Sequence, residues 1–340
     1  MKEIIRKKSV FIKILLLVSP IIVGIIALCV GRYVLTLGEV RDVLVNQFIN
    51  SSVNVPETNI SVVCNVRMPR IILAMLVGMG LSVSGAAFQG LFSNPLATPD
   101  TLGVAAGASF GAALGLLITE NMFAVQIIAL IFGLIAVGGT YMISKIQGKT
   151  TILMVVLSGM VTSSFFQALI SLIKYVADPE TKLPAITYWL MGSMASVSYK
   201  TIATGIPFIL IGVIIIYLLR WRLNILALSE DEAKTMGVKV SRLRWIVILA
   251  ATLVTASAVS MCGQVGWIGL LIPHISRMLV GTNHKRVVPV SISLGASYMI
   301  IIDTFARSIV ATEIPLSILT ALIGAPVFAY LLRKTGGGWV

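Results

Sequence analysis

Ten apolar runs follow one another along this chain, near positions 13–33, 69–91, 99–118, 122–144, 152–175, 199–220, 243–262, 266–280, 286–306 and 314–332. A helix needs about 20 predominantly apolar residues to cross the hydrocarbon core of a bilayer. The pattern therefore predicts an all-α polytopic membrane protein, with ten transmembrane helices in one compact bundle. A hydrophobic share of 57% and a charged share of 11% over 340 residues exclude a soluble globule, which could not hide that much apolar surface. The eighth run is short and carries Pro273, and without it the C-terminus would change sides. No hydrophilic stretch is long enough for a soluble domain, so residues 1–340 read as a single transmembrane domain.

The formal net charge of +13 would suggest a nucleic-acid partner in a soluble chain. Here the positive-inside rule absorbs it. With the N-terminus in the cytoplasm, 18 of the 26 Lys and Arg fall on the inside and 8 on the outside. Ten spans with both termini cytoplasmic follow, and nucleic acid drops out. The first run, after a basic flank, resembles a signal peptide, but it is long enough to span and no small-residue cleavage site follows it. It reads as a retained helix. Cys29, Cys64 and Cys262 show no close pairing, and His274 and His284 are ten residues apart, so neither a disulfide framework nor a metal site is expected.

Gly103, Gly107, Gly111 and Gly115 recur every four residues. On a helix that spacing gives a glycine-lined face against which a second backbone can pack closely. The 12 prolines and 29 glycines of the whole chain suit short or broken helices of the kind transport proteins use around a pathway.

An ion-coupled carrier would need an ionisable group deep in the bilayer. Asp100 falls at a cytoplasmic turn, Asp303 lies four residues before Arg307 as a local ion pair, and the other acids fall in loops or at helix ends. No deep acid is expected, which counts against ion coupling. ATP is the alternative. Gly148-Lys149-Thr150 is the only phosphate-loop fragment, and Ile143 occupies the position of that motif's first glycine. An ATPase would have to be a separate subunit docked on the inside face. The loop at 223–244 offers a docking element: Ser229 and Glu232 form a capping box, Glu230 and Asp231 suit the helix dipole, and Gly237 ends a two-turn helix from Glu230 to Met236.

Several ordered motifs then stand out. They are Arg67-Met68-Pro69-Arg70, Ser84-Gly85-Ala86, Gln89, Asn94-Pro95-Leu96-Ala97 with Pro99, and Leu102-Gly103. Further on come Tyr188-Trp189-Leu190-Met191-Gly192-Ser193, Ala233 with Gly237-Val238, Ile268-Gly269-Leu270, and Pro273-His274 with Arg277. Asp303 with Ala306-Arg307, Glu313-Ile314-Pro315 and Gly324-Ala325-Pro326-Val327-Phe328 complete the set. Together they resemble the FecCD/BtuC-type permeases, membrane subunits of ABC importers for iron-siderophores, haem and cobalamin. The first 60 residues match in pattern only.

The resemblance implies two permease subunits, identical or paralogous, around a central pathway in the bacterial cytoplasmic membrane. It further implies two cytoplasmic ATPase subunits that use ATP and Mg, and an extracytoplasmic substrate-binding protein. The chain itself would bind no cofactor or metal and catalyse nothing. By the resemblance, Arg67, Arg70 and Arg307 receive acids of the binding protein. Glu230, Asp231, Glu232, Ala233, Met236 and Gly237 form the helix that couples to the ATPase. Asn94 and Leu96 match a cytoplasmic gate, with Thr151 opposite, and His274 is structural. The function implied is import of an iron-siderophore or haem by alternating access. A cobalamin importer of the same family and an ion-coupled secondary carrier are the alternatives.

Overall fold

The computed structural model describes residues 2–49, 54–144, 152–226, 228 and 230–335, and every regular element among them is helical. Helix α1 spans Lys2–Cys29 and α2 Leu37–Ile49. The short α3, Glu57–Ile60, continues through a π-helical stretch, Ser61–Arg67, into α4, Met68–Leu91. A 3-10 turn, Pro99–Leu102, leads into α5, Val104–Ile118. Then come α6, Met122–Ser144, α7, Ile152–Val176, α8, Lys182–Leu190, and α9, Tyr199–Leu219. Two short helices, α10, Leu223–Leu226, and α11, Glu230–Thr235, precede α12, Val240–Cys262. The chain closes with α13, Ile268–Val280, α14, His284–Ser308, and α15, Leu316–Thr335.

Six helices are long and apolar enough to cross a membrane: the continuous Glu57–Leu91, then α6, α7, α9, α12 and α14. Four shorter apolar stretches, Val18–Cys29, Val104–Ile118, Ile268–Val280 and Leu316–Leu331, coincide with the remaining apolar runs. Three features depart from the sequence reading. The second helix begins at Glu57 rather than near position 69, and α2 and α8 occupy stretches that read as loop.

Helix α4 is the centre of the bundle. Within its most apolar window 83% of residues are buried, against 28% in α7. It packs against α14, α12, α13 and α9, and small residues permit the close approach: Gly78 meets the backbone of Gly295, and Gly85 that of Gly269. Lipid supplies no hydrophobic drive between helices, so such van der Waals contacts hold the bundle together. The glycine stripe divides by role. A Cβ at Gly107 would lie 2.5 Å from Ala136 Cβ, and one at Gly111 2.6 Å from the Ile128 carbonyl, so these two and Gly115 seat α5 on α6. Gly103 departs from the expectation of one continuous face. It lies before the helix at φ +75°, capping α5 beside Thr162 and Ser163 of α7.

The bundle has two ends. One carries the C-terminus of α1, α2, α3 and the start of α4, and is called the α2 end. The other carries the C-terminus of α4, α10, α11 and the start of α14, and is called the α11 end.

Candidate functional site

At the α2 end, Arg70 follows Pro69 in the first turn of α4, aimed into the protein and 3% exposed. Its guanidinium forks between two carboxylates. Nη2 donates to Asp303 Oδ1 at 2.8 Å and Nε to the same oxygen at 3.2 Å, while Nη1 and Nη2 donate to Glu313 at 2.5 and 3.0 Å. Asp303 is 1% exposed. Burial at this depth is tolerable because the planar fork satisfies both acids. The expected local pair between Asp303 and Arg307 is the longer contact, at 3.6 Å, and the principal partner of Asp303 comes from α4. Sequence spacing reveals an i,i+4 neighbour and is silent on a partner more than 200 positions away.

Arg67 and Arg307 serve the end of α1. Arg307 Nη2 donates to the Ala27 carbonyl at 2.5 Å, and Arg67 donates to Leu28 and Cys29 at 2.5 and 3.2 Å and also to the Tyr33 carbonyl. The Ala27, Leu28 and Cys29 carbonyls are among those a helix C-terminus leaves without intrahelical donors, and a cation there complements the dipole. Gly31 makes room for the arrangement, since a Cβ there would stand 2.6 Å from Arg67 Nη2. All three arginines expected at a docking surface are thus buried and engaged within the chain.

From Thr98 onward the segment after α4 leaves the α11 end. Asp100 lines a small cavity of about 30 Å³ with Leu81, Thr98, Thr255 and Trp267. Leu81 lies ten residues before the end of α4, roughly 15 Å along its axis at 1.5 Å per residue. Thr101 rests on Gly159, well inside α7. This corrects the placement of Asp100 on a cytoplasmic turn and the expectation that no acid lies deep. The Pro99–Leu102 turn carries Asp100 away from the α11 end to the level of Leu81, where it lines the cavity and is itself exposed at the bundle surface, and periodicity merges that turn with the following helix. Thr255 is 2% exposed and its hydroxyl has no partner among the described residues, so the cavity has room for one water and a group to hold it. Trp267, a non-glycine residue at φ +69°, starts α13 beside it.

At the α11 end, the turn after α4 exposes Asn94 and Leu96, with Asn94 Oδ1 accepting from the Leu96 amide at 2.9 Å. Thr151, expected opposite, and Ser229, expected to cap α11, lie outside the described residues. Helix α11 ends at Thr235, one residue before the expected Met236, and Gly237 takes φ +73° just beyond. Ala233 is buried at 1%, whereas Glu232, Met236 and Gly237 are exposed. Glu230 and Asp231 form the first turn of α11. The loop at 223–244 thus comprises α10, α11 and the start of α12.

Sequence reasoning missed one group at this end. Asn224 of α10 accepts from the His284 amide at 2.9 Å through Oδ1, which also lies 3.2 Å from His284 Nδ1. Asn224 Nδ2 donates to Asn283 Oδ1 at 3.1 Å, and that oxygen caps α14 by accepting from the Lys285 amide. The imidazole packs on Gly90, where a Cβ would stand 2.6 Å from Nε2. Helix α10 is thereby tied to α14 and, through His284, to the last turn of α4 just before Asn94. The Asn283-His284 pair, a helix-capping signal, was the only legible trace.

Comparison with known proteins adds identity to this geometry. The sequence model of the FecCD transport family matches residues 17–334. The molybdate import system permease protein MolB of Haemophilus influenzae is 41% identical over 319 residues, covering 94% of each chain. A Helicobacter pylori permease named for iron chelatin transport is 35% identical over 318 residues, covering 93% of this chain and 96% of its own. A solved chain described as a metal-chelate type ABC transporter in an inward-facing conformation superposes with a TM-score of 0.85 at 40% identity, covering 95% of this chain and 99% of its own.

Proposed function

Because this chain belongs to the FecCD transport family and is an ABC importer permease of the cytoplasmic membrane, we propose that it carries an iron chelate, a siderophore complex or haem, by alternating access. The observation that carries the reading is the family match over residues 17–334, together with the iron-chelatin relative and the metal-chelate neighbour. Ten membrane crossings with both termini cytoplasmic fit the ten apolar helices and the distribution of basic residues. The α11 end then faces separate ATPase subunits that use ATP and Mg, and the α2 end faces the binding protein. A second permease chain, identical or paralogous, would pack on the exposed apolar face of α7, which includes Leu157, Met160, Val161 and Phe165.

In this scheme α11 is the coupling helix. Ala233 anchors it, and Glu232 and Met236 are exposed at the surface where the ATPase would dock. Asn94 and Leu96, exposed on the turn that His284 and Asn224 brace, are the gate, with Thr151 as its other side. Docking of the binding protein through Arg67, Arg70 and Arg307 requires its acids to compete with Asp303, Glu313 and the α1 carbonyls that hold these arginines now. The permease contributes positioning and a path; hydrolysis belongs to the ATPase subunits.

The 41% identity to the molybdate permease favours one second reading, an oxyanion cargo. The test is uptake into proteoliposomes holding the permease with its ATPase and cognate binding protein. ATP-dependent accumulation of a radiolabelled ferric chelate is expected. Accumulation of molybdate with no chelate uptake would replace the first cargo by the second. Uptake driven by an ion gradient without ATP would overturn both.

A further inference from the structure

A groove of about 610 Å³ opens at the α11 end of the bundle, where the end of α9 meets the start of α12. Trp221, Arg222, Lys239, Arg242, Met236 and Ile246 line it. The three cations are all exposed, and among the described residues that line the groove there is no acid. Like charges gathered without a counterion cost electrostatic free energy unless an anion joins them.

The surroundings identify the anion. Trp221 is 52% exposed at the point where α9 has just ended, the position an indole takes at a membrane–water boundary. Arg242, Ile246 and Leu249 stand at i, i+4 and i+7 on α12, a single exposed stripe running from the groove into the apolar length of the helix. A soluble anion would satisfy the cations and leave this stripe unexplained. A phosphate at the head of an acyl chain satisfies both.

We infer that this groove is a binding site for an anionic phospholipid, its phosphate among Arg222, Lys239 and Arg242, its interfacial region against Trp221, and its acyl chains along Ile246 and Leu249. Met236 and Gly237, immediately after α11, form the far wall. The bound headgroup would therefore touch the element that precedes α12 and fix how far it stands from the membrane. The inference does not depend on which cargo is carried.

The test uses the full-length chain in nanodiscs with brominated lipids, which quench nearby indoles. The Trp221 signal is isolated by subtracting a Trp221→Phe variant prepared in each background. Brominated phosphatidylglycerol at low mole fraction should quench Trp221 on the order of five-fold more strongly than brominated phosphatidylcholine of the same chains, as expected for three basic side chains beside an anionic headgroup. The R222Q/K239Q/R242Q variant should quench equally with both lipids. R41Q, at the opposite end, should keep the preference. If the triple variant does not fold, R222Q and R242Q singly should each reduce the preference about two-fold. Equal quenching by both lipids in the unmodified chain overturns the inference, as does a preference that survives charge removal. Protection of Trp221 from either lipid also overturns it, by showing a protein occupant instead.

Discussion

Arg70 and Asp303 meet at 2.8 Å across the α4–α14 contact, with Glu313 closing the other side of the same guanidinium. Removing one partner of a buried pair strands the other charge, at a cost of about 3–5 kcal/mol, while replacing both by apolar groups is far milder. Arg70→Met, which strands the buried Asp303, should therefore lower the thermal unfolding midpoint of the purified chain more than the double replacement Arg70→Met with Asp303→Leu. A double variant no more stable than the single would show that the ion pair does not hold α4 to α14.

The same pairing sets the terms of docking at the α2 end. Glu313 is the more exposed of the two acids, its side chain 24% accessible against 1% for Asp303. Glu313→Gln should free part of the Arg70 fork and raise affinity for the binding protein. Charge reversal at Arg67 and Arg307 should lower it about ten-fold or more, since like charges now oppose the partner's acids. Binding-protein affinity measured on immobilised nanodiscs decides the matter, and affinity unchanged in all these variants would remove the arginines from docking.

How much of this was legible beforehand depended on the range of each signal. Apolar runs and capping signals are local, so the six long and four shorter apolar helices among the described residues could be read from the first and the αL glycine after α11 from the second. What escaped was set by contacts distant in sequence. The pairing of Arg70 with Asp303 and Glu313, and of Arg67 and Arg307 with the α1 carbonyls, exists only once three helix ends meet. Asp100 was misplaced because a 3-10 turn of four residues, Pro99–Leu102, carries no hydropathy signature of its own and blends into α5. The stripe ending at Gly115 was read as continuous because spacing cannot show that Gly103 sits before the helix rather than on it.

The brace between α10 and the gate turn can be tested without touching the turn itself. Asn224→Ala removes the acceptor that holds the His284 amide and leaves a buried donor unpaired, a cost of about 1–3 kcal/mol at that joint. ATP hydrolysis by the assembled complex should continue while uptake per ATP falls several-fold, because α10 no longer moves with α14 and α4. Deletion of residues 230–236 should instead abolish both uptake and stimulation of the ATPase by loaded binding protein. If Asn224→Ala leaves the ratio of uptake to hydrolysis unchanged, the brace carries no motion.

Asp100 supplies the sharpest test of the driving force. An exposed carboxylate level with Leu81, about 15 Å along α4 from its C-terminal end, is the kind of group an ion-coupled carrier would titrate, and its position revives an alternative that sequence alone had set aside. The surroundings argue for a structural part instead. The cavity beside it holds no more than a water, its wall is made by Leu81, Pro99 and Trp267, and the described residues contain no group of three or more His, Cys, Asp or Glu placed to hold a metal ion. Asp100→Asn keeps the shape and removes the charge. ATP-dependent uptake in this variant should stay within about two-fold of the unmodified transporter and remain insensitive to collapse of the proton and sodium gradients. Gradient-dependent uptake in the unmodified protein that disappears in Asp100→Asn would place ion coupling at this residue and displace the ATP-driven mechanism.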